Sequence, residues 1–599
     1  MSISANFPNV RPSLLLDFAN SQQLDPRVTF SRSTTAPYYD GKTSVLAEQN
    51  LLLNSQIFTS IWATNSTITG NTTTAPDGTT TASTFLTPAG SVNPYVTQVT
   101  PITNAIPYTF SASLKYLTNQ FAFLKIYGNT GTGSWGIVVV DLINGTITST
   151  QNGSSATVNA TSIVAQPNGF YRVSVTVTQS GGSATTGCGG YIQLSNTGTP
   201  TIANYGNYTW TALGTESIYI WGAQLEQRSS ATAYNATTTT ALTNYIPQLL
   251  TAPINAPRFD FNPTTGESLG LLIEQSSTNL LTYSQDFSNA VWTKANTTIT
   301  TGANIAPDGT QTMSKLVEDA TTNYHNVNYS YALTAGTFTF SICSKQGERK
   351  RIIIRELSTS GNGAIFDLST GTVVNNLASG IGSIILVGNG VYRCSVVGTE
   401  TTGTRIYGVY LATDTTTTVV QANYTGNGYS GIYIWGAQLE ALAFPTSYIP
   451  TTSAQVTRAA DVAPLPTSGW YNIAQGTWYS EFIPMITTGT SRAILQTNNY
   501  SMYLHTSGAI SIYDGTNGAL NGTATNNALN KATTLYAQNT LISCLNGIYP
   551  TTTSAYNNIF ASATTLTISG SNLFNGRIKK LAYYPQALTS AQLQALTGS

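Results

Sequence analysis

The sequence predicts an all-β chain: two tandem copies of one antiparallel jelly-roll β-sandwich, followed by a third β domain of different pattern. Three observations lead there. The nonapeptide IYIWGAQLE occurs twice, at residues 218–226 and 432–440. The phrases that precede each copy also repeat in the same order, with an offset that drifts. Insertions therefore fall in loops, and the repeated unit is much longer than a solenoid repeat. Finally, the matched pieces are short runs rich in Val, Ile, Thr, Tyr and Phe, bounded by Gly, Asn, Asp or Pro. That is strand-and-turn chemistry without helical period.

Taken in chain order, residues 1–47 include RPSLLLDFANSQQLDPRVTFSRSTTAPYYD (11–40), which is extended and Pro-punctuated. It is expected to be an arm with no core of its own that orders on a partner. Module one spans 48–228 and runs through NLLLNSQIFTSIW (50–62), APDGT (75–79), YTFSASLK (108–115), VVVDLINGTI (138–147) and NGFYRVSVTV (168–177). The connector at 229–275, rich in Pro, Thr and Asn, reads as an extended tether. Module two spans 276–442 and repeats each phrase as NLLTYSQDFSNAVW, APDGT, FTFSICSK, AIFDLSTGTV and NGVYRCSVVG. A linker follows at 443–469. From 470 to 599 the pattern changes, and only its end is helical, with Leu588, Leu593 and Leu596 at helix-compatible spacing after Pro585. Within IYIW, Ile218 and Ile220 share one face of the strand and Tyr219 and Trp221 the other. The strand is thus either buried on two sides or offers an aromatic platform.

Charged residues make up 8% of the 599, with 24 basic and 24 acidic side chains. No basic stripe exists to hold nucleic acid or an anionic membrane, and no apolar run is long enough for a membrane-spanning helix. The start, MSISANFPNVRPS, lacks the apolar segment of an export signal, an expectation that fits a particle released by lysis. Few charges leave sheet edges weakly protected, so edges are expected to be covered, in part by neighbouring subunits. Cys188, Cys343, Cys394 and Cys544 show no metal-type spacing and read as small buried thiols.

Catalysis on a glycan needs two carboxylates facing a groove, roughly 5–10 Å apart. The repeats offer Glu226 and Glu440 at the strand ends and Asp77 and Asp308 in APDGT, but PDG is also good turn chemistry. The two histidines, His325 and His505, lie in different domains without a G-x-S-x-G elbow. No cofactor or zinc site is expected; a structural calcium at the repeated D-L-x-x-G-T turns (Asp141, Asp367) is the one metal the pattern admits. For glycan contact, which needs aromatic faces and amide or carboxylate groups, the candidates are Trp470, Trp478, Tyr503 and Tyr513 of the last domain. Trp62, Trp292, Trp221 and Trp435, paired by the duplication, are expected to serve the core.

LDPRVTFSRSTTAPYYD, APRFDFNPTTGESLGLLIEQSSTNLLTYSQDFSNAVWTKAN, APDGT, IYIWGAQLE and FPTSYIPTTSAQVTRAADV together resemble a mosaic family of tailed-bacteriophage virion proteins, described as head-spike or fibre proteins. The resemblance covers roughly the first 465 residues and is most specific over 258–296. The end, NGRIKKLAYYPQALTSAQLQAL, resembles the last strand and closing turn of concanavalin A-like, laminin-G-type lectin folds, and the repeated modules resemble carbohydrate-binding jelly rolls. The resemblance implies a non-enzymatic structural protein on a virion surface, probing host-surface glycan. It also implies attachment to other virion proteins through residues 1–47, and a homotrimer. The family supplies no catalytic residues to carry over. TAPYYD and NAPRFD, joined in the family, are separated here by module one, which fits a copy that lengthens the fibre. The alternative is a tail-spike depolymerase of host polysaccharide. Such enzymes carry a long β-helix, and no short regular repeat of that kind is present.

Overall fold

In the computed structural model the described residues are 10–497, 499–557, 563–569 and 574–598. Each copy of the duplicated unit folds into two six-stranded antiparallel sheets. In module one the first sheet runs, neighbour to neighbour, Thr146–Asn152, Trp135–Asp141, Phe121–Tyr127, Gly189–Ser195, Tyr95–Val99 and Ala63–Thr64. The second runs Ala156–Ala165, Tyr171–Gln179, Pro107–Tyr116, Ser217–Glu226, Ala82–Leu86 and Thr67–Thr73. Module two reproduces both orders strand for strand. Its first sheet is Thr372–Leu377, Gly363–Asp367, Arg351–Glu356, Gly403–Ala412, Asn326–Leu333 and Trp292–Ala295. Its second is Ile381–Gly388, Val391–Glu400, Gly336–Gln346, Gly431–Glu440, Met313–Glu318 and Thr297–Asn304. The duplicated sequence is a duplicated sandwich.

The repeated nonapeptide is an internal strand in both copies. Ile218, Ile220 and Leu225 enter the core of module one, and Ile432, Ile434 and Leu439 that of module two. After the tryptophan each strand bulges at a glycine of positive φ, Gly222 (58°) and Gly436 (64°). A side chain there would be strained, and an aromatic ring occupies the space: Tyr234 over Gly222, Tyr448 over Gly436. The second face of the strand is therefore covered by its own chain. Trp221 lies 4.7 Å from Tyr234 and Trp435 4.6 Å from Tyr448 between ring centroids. The returning segment is fastened by a fully buried asparagine. Asn279 donates to the carbonyls of Ala437 and Ile449 and accepts from the amides of Leu281 and Leu439. Asn50 does the same with Ala223, Asn235, Leu52 and Leu225.

The third domain is a sandwich of a seven-stranded and a six-stranded sheet, and its strands come from four places in the chain. Gly576–Tyr584 pairs with Gly476–Pro484 on one side. On the other it takes Leu14–Leu16 at one end and Ser268–Ile273 at the other. Arg258–Phe261 extends that sheet, and Ala463–Pro466 is an edge strand of the opposite one. The expectation of an arm without a core is corrected here for residues 10–47. Leu14, Leu16, Phe18 and Val28 sit in the same core as Trp470, Trp478 and Tyr583. The run LLL alternates buried, exposed, buried, as one face of a strand must. The connector is likewise corrected: residues 258–273 form a hairpin of the third domain, with Leu271 and Ile273 in its core. Residues 1–9 lie outside the described residues. The chain closes on the helix Ser590–Thr597, capped by a Thr589–Gln592 capping box, with Leu588, Leu593 and Leu596 buried together as their spacing predicts.

Candidate functional site

The aromatic candidates of the last domain are mostly part of its interior. Trp478 is 0% exposed and Trp470 6%, and both pack around Tyr583, at 4.5 and 5.4 Å between centroids. A ring walled in on both faces cannot stack on a sugar, so these two are corrected to core residues. Tyr503 is also buried, beside His505. Tyr513 alone of the four is half-exposed, and its hydroxyl donates to the Gly515 carbonyl. Aromatic richness in a short β domain signals core at least as strongly as ligand platform.

The candidate carboxylates have structural work. Glu226 and Glu440 are fully buried. Glu440 accepts from Ser277 Oγ at 2.7 Å and the Thr446 amide at 3.0 Å, and Glu226 from Gln224 Nε2 and the Thr232 amide. They hold the segment that returns over the tryptophan. Asp77 and Asp308 cap their own turns through Thr79 and Thr310. Two residues on, Thr81 and Thr312 accept from the indole N–H of Trp221 and Trp435. Asp141 and Asp367 likewise accept from amides of the turns they start. Among the described residues no three His, Cys, Asp or Glu side chains gather at one point. His325 is buried between the carbonyls of Asn296 and Tyr424, and His505 bonds Ser507 within one tight turn. All four cysteines are buried free thiols.

The residues that do converge come from phrases outside the two repeated sandwiches. Arg32, Arg258, Glu274, Arg458 and Asp461 are each at most 2% exposed. Arg32 meets Asp461 at 2.9 Å; Arg258 meets Asp461 at 2.5 Å and Glu274 at 2.8 Å; Arg458 lies 3.5 Å from Glu274. Burial alone would raise the Glu274 carboxyl. Arg458 and Arg258, with the Ser447 amide and hydroxyl, outweigh it and hold the group well below the usual carboxylate range. Beside this network is a cavity of about 450 Å³ whose walls include Thr34, Pro37, Leu249, Gln285, Asp308 and Tyr448. Its lining also includes Trp435, whose ring is tilted against that of Tyr448 at 4.6 Å between centroids. Module one is tied to module two by Glu48 to Lys345, and the connector is tied to it by the Leu249 amide donating to the Pro307 carbonyl at 2.8 Å.

One face went unnoticed in the sequence. On the outer side of the first sheet of module one, Tyr95, Tyr191, Tyr127 and Tyr205 form a row, with successive centroids 6.0, 6.3 and 6.3 Å apart, each pair edge to face. Tyr205 is 45% exposed, Tyr95 and Tyr191 are half-buried, and Tyr127 is buried among Phe123, Trp135, Ile137 and Val139. Under them Lys125, 2% exposed, lies 4.3 Å from the Tyr191 ring and donates to Tyr205 O and Asn207 Oδ1, both at 3.3 Å. Burial pushes its ammonium down to about 7. The loop it holds puts Tyr205 at φ +66°, a left-handed conformation costly for a non-glycine residue. The only sequence signal was alternation: Phe123, Lys125 and Tyr127 share the outward face of their strand.

No protein-family model matches the chain, and no curated protein matches its sequence. Among solved structures it is similar to the N-terminal CBM22 tandem of a Paenibacillus barcinonensis protein, at 10% identity and TM-score 0.17, covering 67% of this chain and 100% of that one. A Bacteroides ovatus protein assigned to carbohydrate binding is similar at 11% identity and TM-score 0.19, over 47% and 82%. A Trypanosoma rangeli sialidase is similar at 8% identity and TM-score 0.20, over 96% and 98%. At these scores the likenesses carry no argument; the all-β sandwich architecture stands on the strand pairing itself.

Proposed function

We propose that this chain is a non-enzymatic structural protein of a bacteriophage particle surface, a fibre or spike whose β-sandwich modules contact host-surface carbohydrate. The observation that carries the reading is the use made of the phrases that resemble those of virion proteins. Arg32, Arg258, Glu274, Arg458 and Asp461 come from three of them and meet in one buried network. That network, with the hairpin 258–273, fuses module two, the third sandwich and the arm without a free linker. A display protein needs such rigid joints; an enzyme of this size needs a pair of addressable carboxylates, and the repeated ones are committed to turns and returning segments. Homotrimeric assembly belongs to the same proposal. It is supported by the edge strand Ile381–Gly388, where Ile381 is 64% and Ile385 48% exposed with no charge on the strand. Attachment to other virion proteins through the N-terminal segment belongs to the same proposal. A concanavalin A-like kinship of the third domain is supported by its seven- and six-stranded sheets.

The test is immunoelectron microscopy of intact particles with antibody to residues 470–598, alongside incubation of pure protein with polysaccharide. Surface labelling and no release of oligosaccharides are expected. Unlabelled particles would remove the virion reading; oligosaccharide release, lost on changing one Asp or Glu, would install the depolymerase.

A further inference from the structure

We infer that module one, not the third domain, carries the carbohydrate-contact face: the tyrosine row Tyr95–Tyr191–Tyr127–Tyr205, in which Tyr95, Tyr191 and Tyr205 meet an extended chain of neutral sugars and the buried Tyr127 supports them. The assignment rests on the carbohydrate-contact reading above and gives it an address.

The duplication supplies an internal control. In module one Phe121 pairs with Asp141 and in module two Arg351 pairs with Asp367, the aspartates of the repeated D-L turn. Counting along the strands from there, Lys125 corresponds to Arg355 and Tyr127 to Leu357. Across the sheet, Tyr191, opposite Lys125, corresponds to Gly408, opposite Arg355. Tyr95, one strand further, corresponds to Asn326. Three tyrosines of the row are thus absent from a sandwich of identical strand order. At Gly408 the space that a tyrosine would use is taken by the ends of other side chains, Asn328 Oδ1 and Leu357 Cδ1, each 2.6 Å from where a Cβ would lie. The fold does not require the tyrosines. Their presence on one copy alone is a property added to it.

Their geometry suits a sugar chain. A pyranose presents apolar C–H faces that pack on aromatic rings, and Tyr95, Tyr191 and Tyr205 offer partly exposed rings in alternating orientations along the row, with the buried Tyr127 packed between Tyr191 and Tyr205. The rings are held before any ligand arrives. Each leans edge-on against the next, Tyr127 donates to Asn129 Oδ1 at 2.7 Å and Tyr191 to the Gly187 carbonyl at 3.3 Å. Lys125 clamps the loop that projects Tyr205, and Gly206 (φ +69°) lets that loop lie flat on Lys125 and Trp135, where a Cβ would clash at 2.7 Å. Pre-ordering of this kind lowers the entropic cost of binding. The ligand is neutral because the cation beneath the rings is sealed: Lys125 is 2% exposed and bonded to Tyr205 O and Asn207 Oδ1.

The experiment uses the full chain in affinity electrophoresis through gels containing dextran, mannan, xylan or mixed-linkage β-glucan, with alginate and hyaluronan as acidic comparisons. Retardation by at least one neutral polysaccharide is expected, exceeding that by the acidic ones. Tyr191→Ala and Tyr205→Ala should each weaken it about tenfold, with Tyr205→Trp retaining it. Tyr513→Ala in the third domain should leave it unchanged. Circular dichroism and unfolding temperature confirm that each variant is folded. The assignment is overturned if no neutral polysaccharide retards the protein, if the two alanine variants bind as the parent does, or if Tyr513→Ala is the one that fails. A change of oligomeric state in Tyr191→Ala or Tyr205→Ala, without loss of retardation, would reassign the row to a subunit interface. Particle labelling tests the virion reading separately, so either can fail alone.

Discussion

Replacing Phe18 by alanine separates an arm that is part of the fold from one that waits for a partner. Phe18 is 0% exposed, follows the strand Leu14–Leu16, and lies in the core of the third sandwich with Leu271, Ile273 and Trp470, its ring 6.4 Å from Phe259. Truncating a phenylalanine in such a place removes its transfer free energy and leaves a cavity, together about 3–5 kcal/mol. On a free arm the same change would stay within about 0.5 kcal/mol. For a domain of this size each kcal/mol moves the midpoint roughly 2–4 °C, so the unfolding of the third sandwich should fall by about 6–20 °C. Removing residues 1–31 goes further. Leu14, Leu16, Phe18 and Val28 each bury a side chain worth at most about 1.5–3 kcal/mol. The sum rivals the roughly 5–15 kcal/mol that holds a domain together. The assay is scanning calorimetry with tryptophan fluorescence, because Trp470 and Trp478 report this core directly. A Phe18→Ala protein that melts within 1 °C of the parent would refute the reasoning and restore the free arm.

The remaining expectations concern the joints and the repeat. Arg258→Met leaves Glu274 and Asp461 short of a buried counter-charge and should cost about 3–5 kcal/mol, part of it recovered in Arg258→Met/Glu274→Met; equal melting of the single and double variants would exclude the coupling. The Glu274 carboxyl titrates lower in the folded chain than its unfolded value near 4.3. Its stabilisation is therefore complete above that value and is lost as pH falls through the folded one. Midpoints measured between pH 5 and pH 2 should drop more steeply in the parent than in Glu274→Gln. Asn279→Ala strands two amides and two carbonyls, each at about 1–3 kcal/mol if left dry. Denaturant melts should then show module two destabilised, with Asn50→Ala doing the same to module one; a loss under 1 kcal/mol in both would mean water replaces the side chain.

What the sequence determined by itself is the repeated sandwich. The period of two in IYIW, the NG turns and the ordered recurrence of phrases are local signals, and strand order follows because each phrase pairs with neighbours its twin also has. The closing helix was legible for the same reason, from leucine spacing after Pro585. Tertiary structure alone decided where the phrases between the sandwiches go. Arg32, Arg258, Glu274, Arg458 and Asp461 are separated by up to 429 positions, and no periodicity says that charges so far apart will share one dry site. The same holds for LLL at 14–16, which looks like an arm until Gly576–Tyr584 offers it an edge. Burial also decided the aromatic residues. Composition counts tyrosines and tryptophans without knowing which face they occupy, so Trp478 read like a platform and is core, while Tyr191 and Tyr205 passed unnoticed on the outside. Whether a ring is covered depends on how loops such as 196–208 fold back over the sheet, and that depends on contacts distant in sequence.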